Sequence, residues 1–306
     1  MTIAAEQTQN KTEKQAMGAI AKIPPRRMDF EFKEEAQPRY FYGNDPFLSL
    51  FWQTFSALLP EGEHFFVEAV RHYRNEITDP LLKAQVSGFI GQEAMHAKEH
   101  DAFNQMITTK GLPVEDIDRS LKKILNTFQK YLPKSMSLAA TVCLEHYTAM
   151  MAEQLLRDEQ HQAMMGQNPE VLGMWLWHAL EENEHKSVAY DVFQQVSGSY
   201  ALRAGTMIPT TILLFGIAGA YNVRMLAADG QLFKVRQNLK GLNYLFGYKG
   251  LFPKLVPQFL DFFKPSFHPT QHDTDALLEE WREKLFGKNG LLKDQIKKPG
   301  NQRKTH

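Results

Sequence analysis

Apolar side chains recur along most of the chain at intervals of three and four positions, which is the spacing of one buried face of an α-helix. Asp79-Pro80 and Asn168-Pro169 precede two of these segments, and Gly198 follows the second, as expected at helix starts and stops. No run alternates convincingly with a period of two, so a β-sheet is not expected. Four helical segments suit a bundle and lie at about 61–77, 80–109, 134–165 and 169–197.

Further helical segments flank this core. An apolar helix precedes Pro60, where we expect a kink or a restart. An apolar helix over about 201–228 and C-terminal helices rich in aromatic and basic residues follow the core. The fold class is therefore all-α, a four-helix bundle with additional C-terminal helices. The predicted organisation is a disordered N-terminal arm at 1–29, a single helical domain at 30–285 with its bundle core at about 61–197, and a flexible tail at 286–306.

The stretch between Arg203 and Arg224 contains no charged residue and is about as long as a membrane-spanning helix. Pro209, three threonines, three glycines and Asn222 argue against a lipid-embedded span. We therefore expect this helix to be buried in the core or at an interface between two copies of the chain. Attachment to a membrane surface through 203–224 is the open alternative.

Composition narrows the classes of partner and compartment. The 35 Lys and Arg residues balance the 35 Asp and Glu residues, so no nucleic-acid-binding surface is expected. The single cysteine, Cys143, excludes an internal disulfide and fits a reducing compartment. The polar N-terminus lacks the apolar core of a signal peptide. We expect a cytoplasmic protein, associated with a membrane only if 203–224 lies on one, and a small-molecule substrate.

Two Glu-x-x-His pairs carry the candidate chemistry. Glu93 and His96 stand in "GQEAMHAKEH", and Glu182 and His185 stand in "WHALEENEHK". Positions i and i+3 share one helix face, so both side chains of each pair project in the same direction. An exposed polar helix face is the alternative interpretation of either pair taken alone. Two such pairs on separate helices favour a metal site.

Two further carboxylates lie on apolar stripes of the other core helices. Glu63 shares its stripe with Phe66 and Val67, and Glu145 lies among small side chains in "CLEHYTAM". A carboxylate is costly to bury unless it is paired or binds a cation. A solvated acid at a helix start is the alternative for Glu63, and an ion pair with an arginine is the alternative for Glu145.

Together these residues form the ligand set of helical bundles that hold two metal ions. One Glu comes from each of two helices and one Glu-x-x-His from each of the other two, as in di-iron and di-manganese carboxylate proteins. We expect Glu93 and Glu182 to bridge the ions. Carboxylate and imidazole ligands suit iron, which we predict as two ions, with manganese and zinc as alternatives. The absence of thiolates from the set argues against a structural zinc site.

Two histidines extend the same faces. His178 lies one turn before Glu182 and is a predicted ligand, whereas His100 either binds a metal or orients a ligand through a hydrogen bond. Glu181 and Glu184 turn away from the stripe, toward water or a neighbour.

The order Glu, Glu-x-x-His, Glu, His-x-x-x-Glu-x-x-His resembles that of the ferritin-like di-iron N-oxygenases that oxidise p-aminobenzoate. That resemblance implies the role of a seventh ligand for His178. The stretches "LPEGEHFFVEAVR", "GQEAMHAKEH", "LEHYTA", "WHALEENEHK" and "FHP" resemble a bacterial family described as predicted transition-metal-dependent hydrolases, over approximately residues 30–285. Both resemblances imply a ferritin-like fold around a dinuclear metal site.

The leading functional hypothesis is a non-haem di-iron enzyme that activates O2 to oxidise an organic substrate. A predicted apolar lining, which is also ordinary core, fits an apolar substrate and comprises Phe66, Phe89, Met95, Met150 and Trp175. The alternative is a hydrolase that uses a metal-bridged water on an ester or phosphoester. Iron storage is a third class, and the long C-terminal extension argues against the shell-forming oligomer that storage needs.

Overall fold

A computed structural model describes residues 23–166 and 168–297. Over these residues the predicted all-α class is confirmed, and the one β feature is an isolated antiparallel bridge between Met28 and Ile296. Single turns of 3-10 helix lie at Glu34–Ala36, Phe252–Leu255 and Pro269–Gln271. The α-helices are α1 Pro46–His72, α2 Pro80–Thr109, α3 Val114–Tyr131, α4 Lys134–Arg157, α5 Glu159–Met165, α6 Pro169–His185, α7 Val188–Val196, α8 Tyr200–Ala228, α9 Val235–Phe246, α10 Val256–Asp261 and α11 Asp275–Phe286.

The long helices begin where a short polar side chain caps the first turn. The carboxylate of Asp45 accepts from the Leu48 N–H, and proline at the first helical position has no N–H to satisfy. Asp79 and Asn168 cap α2 and α6 in the same way, again before a proline. The capping signals in the sequence therefore set these helix starts correctly.

Four helices form the centre of the molecule. Helix α1 packs along α2, helix α4 packs along α6, and contacts of α1 with α4 and of α2 with α6 close the group. Helix α3 lies across α1 and α2, α8 lies on α4 and α1, and α11 lies on α6. The core helices carry both the largest apolar clusters and the candidate ligands.

Some predicted boundaries are wrong in instructive ways. Helix α1 continues through Pro60 without a restart. Proline cannot bond to the carbonyl four residues earlier, which is that of Ser56. The side-chain amide of Asn104 on α2 donates to that carbonyl at 3.1 Å and replaces the missing bond. The predicted segment 134–165 is two helices, because Asp158 ends α4 and caps α5, and the segment 169–197 is interrupted at 186–187 between α6 and α7.

Helix α8 lies on the surface of the molecule with one face against the bundle. It is long and apolar enough to cross a membrane, yet only 28% of its most apolar 18-residue window is buried. Near its start, Arg203 donates to the backbone carbonyls of Phe262 and Lys264. Near its end, the hydroxyls of Tyr221 and Ser120 lie 2.7 Å apart. Full burial, one of the environments expected for this helix, does not describe it.

The first and last described segments of the chain lie together on the bundle. Of the predicted arm at 1–29, residues 23–29 are described: Ile23 and Met28 are buried, and the carbonyl of Arg27 accepts from the Lys297 N–H at 2.8 Å. Of the predicted tail at 286–306, residues 286–297 are described, and Leu292 is buried. The other residues of both segments lie outside the described residues.

Candidate metal centre

The four central helices bring all the predicted ligand side chains to one place inside the bundle. None of these residues is more than 4% exposed. Helix α1 contributes Glu63, α2 contributes Glu93 and His96, and α4 contributes Glu145. Helix α6 contributes His178, Glu182 and His185. An exposed polar face, the alternative for the two Glu-x-x-His pairs, is therefore wrong.

These side chains form two triads that could each hold a metal ion. In the first, one ligand atom from each of Glu63, His96 and His178 lies within 4.8 Å of the others. In the second, Glu93, Glu182 and His185 meet the same limit. The first triad draws its ligands from three helices and the second from two, so the geometry of both depends on the packed bundle.

The carboxylate of Glu182 belongs to the second triad and also contacts the first. Its Oε1 is 2.9 Å from His178 Nε2 and 3.4 Å from His96 Nδ1 in the first triad. The same oxygen is 3.7 Å from His185 Nε2 in the second. This is the position expected of a bridging carboxylate. Glu145 approaches the second triad, with its Oε2 3.5 Å from His185 Nε2.

Unpartnered polar atoms at the centre test whether metal ions fit there. Within the described protein, both carboxylate oxygens of Glu63, Glu93 and Glu145 are buried without a hydrogen bond. The inward nitrogens of His96 and His185 are in the same state. Buried polar groups are normally satisfied, and leaving one unsatisfied costs about 1–3 kcal/mol. Cations between the triads would satisfy the whole group at once, so the donor set fits metal ions.

Electrostatics leads to the same conclusion. Burial, followed by the charge of Glu93, raises the pKa of Glu63 and of Glu145 well above the ordinary glutamate value. Burial alone would lower the pKa of His96, but the hydrogen bond to Glu181 and the nearby carboxylates of Glu182 and Glu93 outweigh it and raise the pKa to about 10. Metal binding would displace protons from such a centre, because ligating carboxylates and imidazoles must be deprotonated. All the donors are nitrogen or oxygen, because Cys143 is buried elsewhere, beside the carbonyl of Arg203.

A network of ion pairs holds the outer side of helix α6. Glu181 accepts from His96 Nε2 at 3.1 Å, which turns Nδ1 of that ring toward the centre. Arg26 donates to both Glu181 and Glu184 at 2.8 Å, and Arg282 donates to Glu184 at 2.8 Å. The side chains of Glu181 and Glu184 are fully buried, so both face neighbours and not water.

His185 is oriented by an amide. Gln92 Nε2 donates to Glu184 at 2.9 Å, so Gln92 Oε1 must accept from His185 Nδ1, 3.0 Å away. The other ring nitrogen, Nε2, then faces the carboxylates of the second triad. Hydrogen bonds of this kind commonly fix the tautomer of metal-binding histidines.

A longer chain of hydrogen bonds orients His178, and its direction follows from the Ser56 carbonyl, which can only accept. Asn104 Nδ2 donates to that carbonyl, so Asn104 Oδ1 accepts from Ser56 Oγ at 2.9 Å. Ser56 Oγ then accepts from His100 Nδ1 at 2.8 Å. Because burial lowers the pKa of His100 well below its usual value, its Nε2 carries no proton and accepts from His178 Nδ1 at 2.8 Å.

This chain, the His100 relay, directs Nε2 of His178 at the first triad, where it contacts Glu182 Oε1 at 2.9 Å and would carry no proton once a metal ion is bound. Of the two predicted roles for His100, the structure supports orientation of a ligand, since its two ring nitrogens contact Ser56 and His178. Sequence reasoning missed Ser56, Asn104 and Gln92. Their polar side chains lie on the same helices at otherwise apolar positions, which is the signal that could have identified them.

Two cavities adjoin the centre. The smaller, about 30 Å³, is lined mainly by apolar side chains, including Trp52 and Trp175, and reaches His178 and Glu182. The larger, about 340 Å³, reaches Glu63 and extends outward to α8. Of the predicted apolar lining, Trp175 borders the smaller cavity and Phe66 the larger, whereas Phe89, Met95 and Met150 border neither.

One family model matches the chain. It is described as a predicted metal-dependent hydrolase and covers residues 24–273. This confirms the resemblance to that family inferred from the sequence motifs. Neither a curated protein nor a solved structure matches significantly, so no relative of known substrate extends the comparison.

Proposed function

We propose that this chain, which belongs to the predicted metal-dependent hydrolase family, is a two-metal enzyme that activates dioxygen to oxidise an apolar organic substrate. The proposed architecture is a ferritin-like bundle of α1, α2, α4 and α6. The proposed ligands are Glu63, Glu93, His96, Glu145, His178, Glu182 and His185, around two iron ions.

The observation that carries the choice of dioxygen is the small cavity beside the ligands. This cavity is small, with a volume of about 30 Å³, and it lies directly beside His178 and Glu182. Apart from the ligands His178 and Glu182, the polar groups of the lining residues are the hydroxyl of Thr148, which donates to the carbonyl of Glu145, and the indole N–H groups of Trp52 and Trp175, which have no partner within the described protein. The rest of the lining is apolar, which supports dioxygen, an apolar diatomic molecule, as the reactant.

Each group of protein residues has a defined task in this proposal. The carboxylates offset the charge of the ions, and iron would supply the electrons that reduce dioxygen. The His100 relay and Gln92 keep Nε2 of His178 and of His185 directed inward, where each would bind a metal ion in its unprotonated form. Trp52, Phe55 and Trp175 give the small cavity its apolar wall. The large cavity supplies space for an apolar substrate next to Glu63.

Hydrolysis is the second candidate, because the family description names it. Two cations can lower the pKa of a bound water and position it against an ester or phosphoester. The donor set would hold zinc or manganese for this purpose as well. The two candidates differ in whether the centre changes its oxidation state.

The deciding experiment loads metal-free protein with Fe(II) without oxygen and then adds O2. We expect rapid O2 consumption and a change in optical absorption, neither of which occurs in Glu182→Gln. In parallel, zinc- and manganese-loaded protein is assayed with p-nitrophenyl esters and bis(p-nitrophenyl) phosphate. The oxygenase proposal would be overturned in favour of hydrolysis by two results together. The iron-loaded protein would show no O2 consumption and no change in absorption, and the zinc- or manganese-loaded wild type, but not Glu182→Gln, would hydrolyse one of the test substrates.

A further inference from the structure

The outer face of α8 is apolar and uncovered. Ile208, Ile212 and Val223 are at least half exposed. At Gly205 and Gly216 on the same face, an added Cβ would meet no atom within 4 Å, so nothing else in the described protein covers these two positions. Half of the buried residues of α8 are polar: of the eight that are buried, four are Arg203, Thr206, Thr210 and Asn222. The helix is thus apolar toward its surroundings and partly polar toward the protein.

The following segments continue this surface. Large apolar side chains protrude from α9, α10 and the adjoining loops, and several are more than half exposed: Phe233, Val235, Leu239, Tyr248 and Leu260. Exposed aromatic and aliphatic side chains in such number are unusual on a soluble monomer and mark an interaction surface. We define this docking face as the exposed residues of α8 together with those of 231–266.

Charge indicates the chemistry of the partner. Residues 231–266 contain six Lys and Arg residues and one acid, Asp261. Asp261 lies close to Lys264 and His272. The other cations include four that are exposed among the protruding apolar side chains, namely Lys234, Arg236, Lys240 and Lys249. Basic residues interspersed with exposed aromatic and aliphatic side chains complement an anionic lipid surface.

Helix α8 is fixed to the protein in a way that excludes a crossing of the bilayer. Arg203 binds carbonyls of the C-terminal segment at one end, and Arg224 pairs with Asp116 of α3 at 2.7 Å near the other. Between these ends the helix packs on α4 and α1, which carry buried metal-ligand candidates. The helix can therefore enter a lipid surface only from its outer side, lying in the plane of the interface.

The large cavity lies directly behind the docking face. Its walls come from α1, α3, α4 and α8 and are almost entirely apolar. Pro209 and Leu213 of α8 line the cavity and are also exposed to the outside. A single layer of side chains thus separates the cavity from the docking face. At its inner end the cavity reaches Glu63.

We propose that the docking face binds the surface of an anionic bilayer, and that the cavity takes up the hydrocarbon chain of a single-chain amphiphile from that bilayer. The second part rests on the proposed function, since it assigns a substrate class to the same centre. The polar head remains at the lipid surface beside the basic residues, and the chain extends past Leu213 toward Glu63.

Vesicle flotation tests the docking face. Wild-type protein is mixed with phosphatidylcholine vesicles, with or without phosphatidylglycerol, and centrifuged through a density step. We expect wild type to float with the anionic vesicles and to be released by added salt. The double variant Ile212→Asp/Phe233→Asp should lose at least tenfold in the floated fraction, and Lys240→Glu should lose binding to anionic vesicles. The matched control is Leu291→Asp, an exposed leucine in the C-terminal segment that packs against α6, and it should float normally.

Light scattering on the same samples separates a lipid surface from a second copy of the chain. One outcome is that wild type binds neither kind of vesicle and is a dimer, which Ile212→Asp/Phe233→Asp converts to a monomer. The docking face then binds a second copy of the chain, and the lipid assignment is overturned. Wild type that neither floats nor dimerises overturns it as well.

Gly62 allows the cavity to be filled without displacing packed atoms, because a Cβ there would meet nothing within 4 Å and the residue lines the cavity. Fluorescent cis-parinaric acid serves as the chain probe. We expect wild type and Gly62→Ala to bind it, and Gly62→Leu to bind at least tenfold more weakly with unchanged melting temperature. Absence of binding to wild type, or equal binding to Gly62→Leu, overturns the uptake of a chain. Neither assay requires metal or O2, so failure of lipid binding and failure of the proposed function are distinguishable.

Discussion

Helices α6 and α8 reverse the usual relation between polarity and burial. Thirteen of the 17 residues of α6 are buried, although the helix carries His178, Glu181, Glu182 and His185 among them. Eight of the 29 residues of α8 are buried, although no charge occurs between Arg203 and Arg224. Apolar character alone therefore does not determine which helix lies inside.

The environment of each helix must instead supply what its side chains lack. The buried charges of α6 require cations, and Arg26 and Arg282 provide two on its outer side. On its inner side the proposed metal ions would provide the others. The exposed apolar residues of α8 require an apolar cover, which the proposed bilayer would provide. Substitutions in and around the two helices test this interpretation.

The largest effect is expected at Glu182, whose Oε1 lies close to residues of both triads. Glu182→Gln removes the central negative charge while keeping the shape, so we expect loss of metal from both positions, measured by elemental analysis. Wild type should gain ~2.7 kcal/mol of stability when free metal is at about 100 times Kd, and the variant should gain none. The control is Glu279→Gln, an exposed carboxylate on α11. Full metal occupancy in Glu182→Gln would contradict the assignment.

Arg26→Met should have the next largest effect. The substitution removes the arginine that balances the buried charge of Glu181. It also removes one of the two arginines that pair with Glu184. Breaking a buried ion pair by removing one partner costs about 3–5 kcal/mol, which denaturant titration of the metal-loaded protein would measure. Lys33→Met, which breaks an exposed pair with Glu31, should cost less than about 1 kcal/mol. Equal effects of the two substitutions would mean that burial adds nothing to the strength of the Arg26 pairs.

Asn104→Leu tests the His100 relay. Without the amide, the Ser56 hydroxyl is free to donate to His100, and the relay no longer fixes the tautomer of His178 whose Nε2 would bind the metal ion. Loss of such an outer partner weakens metal binding by about 10–100-fold, measurable by competition with a chelator. Gln195→Leu, an exposed change on α7, serves as the control. Unchanged affinity in Asn104→Leu would show that the relay does not set the tautomer of His178.

The smallest effect is expected from glycine-to-alanine substitutions, one in each of the two helices. Gly216→Ala on α8 adds a Cβ in open space and should stabilise the protein by up to ~1 kcal/mol through helix propensity. Gly173→Ala on α6 places its Cβ 2.8 Å from Leu292 Cδ2, so part of that gain is lost in moving the leucine. Thermal unfolding of the two variants and of wild type would show which substitution stabilises the protein more. A larger gain at Gly173 would contradict the difference in packing.

Local patterns in the sequence predicted the helices and the converging residues well, for a physical reason. Capping by Asp45, Asp79 and Asn168 and the three-residue spacing of Glu93 and His96 are short-range features. A carboxylate on an apolar stripe, as at Glu63, signals an unusual buried partner. That is why the site could be proposed from residue spacing alone.

Long-range pairing could not be predicted in the same way. Arg26 precedes Glu181 by 155 positions, and nothing in its own segment indicates that it lies over α6. From the sequence, Glu181 and Glu184 could face either water or a neighbour. Helix periodicity gives the direction in which a side chain projects but not what lies there. The partial exposure of α8 likewise depends on where α9 and α10 lie, which its composition does not specify.

Pro60 has a consequence beyond the shape of α1. Because an imino acid cannot donate, one acceptor on the preceding turn is released, and Asn104 takes it. Together with the low pKa of His100, this released carbonyl sets the donor and acceptor of each hydrogen bond from the backbone to His178. An alanine at position 60 would offer a competing donor and make the direction reversible. A residue usually considered a helix breaker thus gives the hydrogen-bond chain its polarity, although it carries no chemistry of its own.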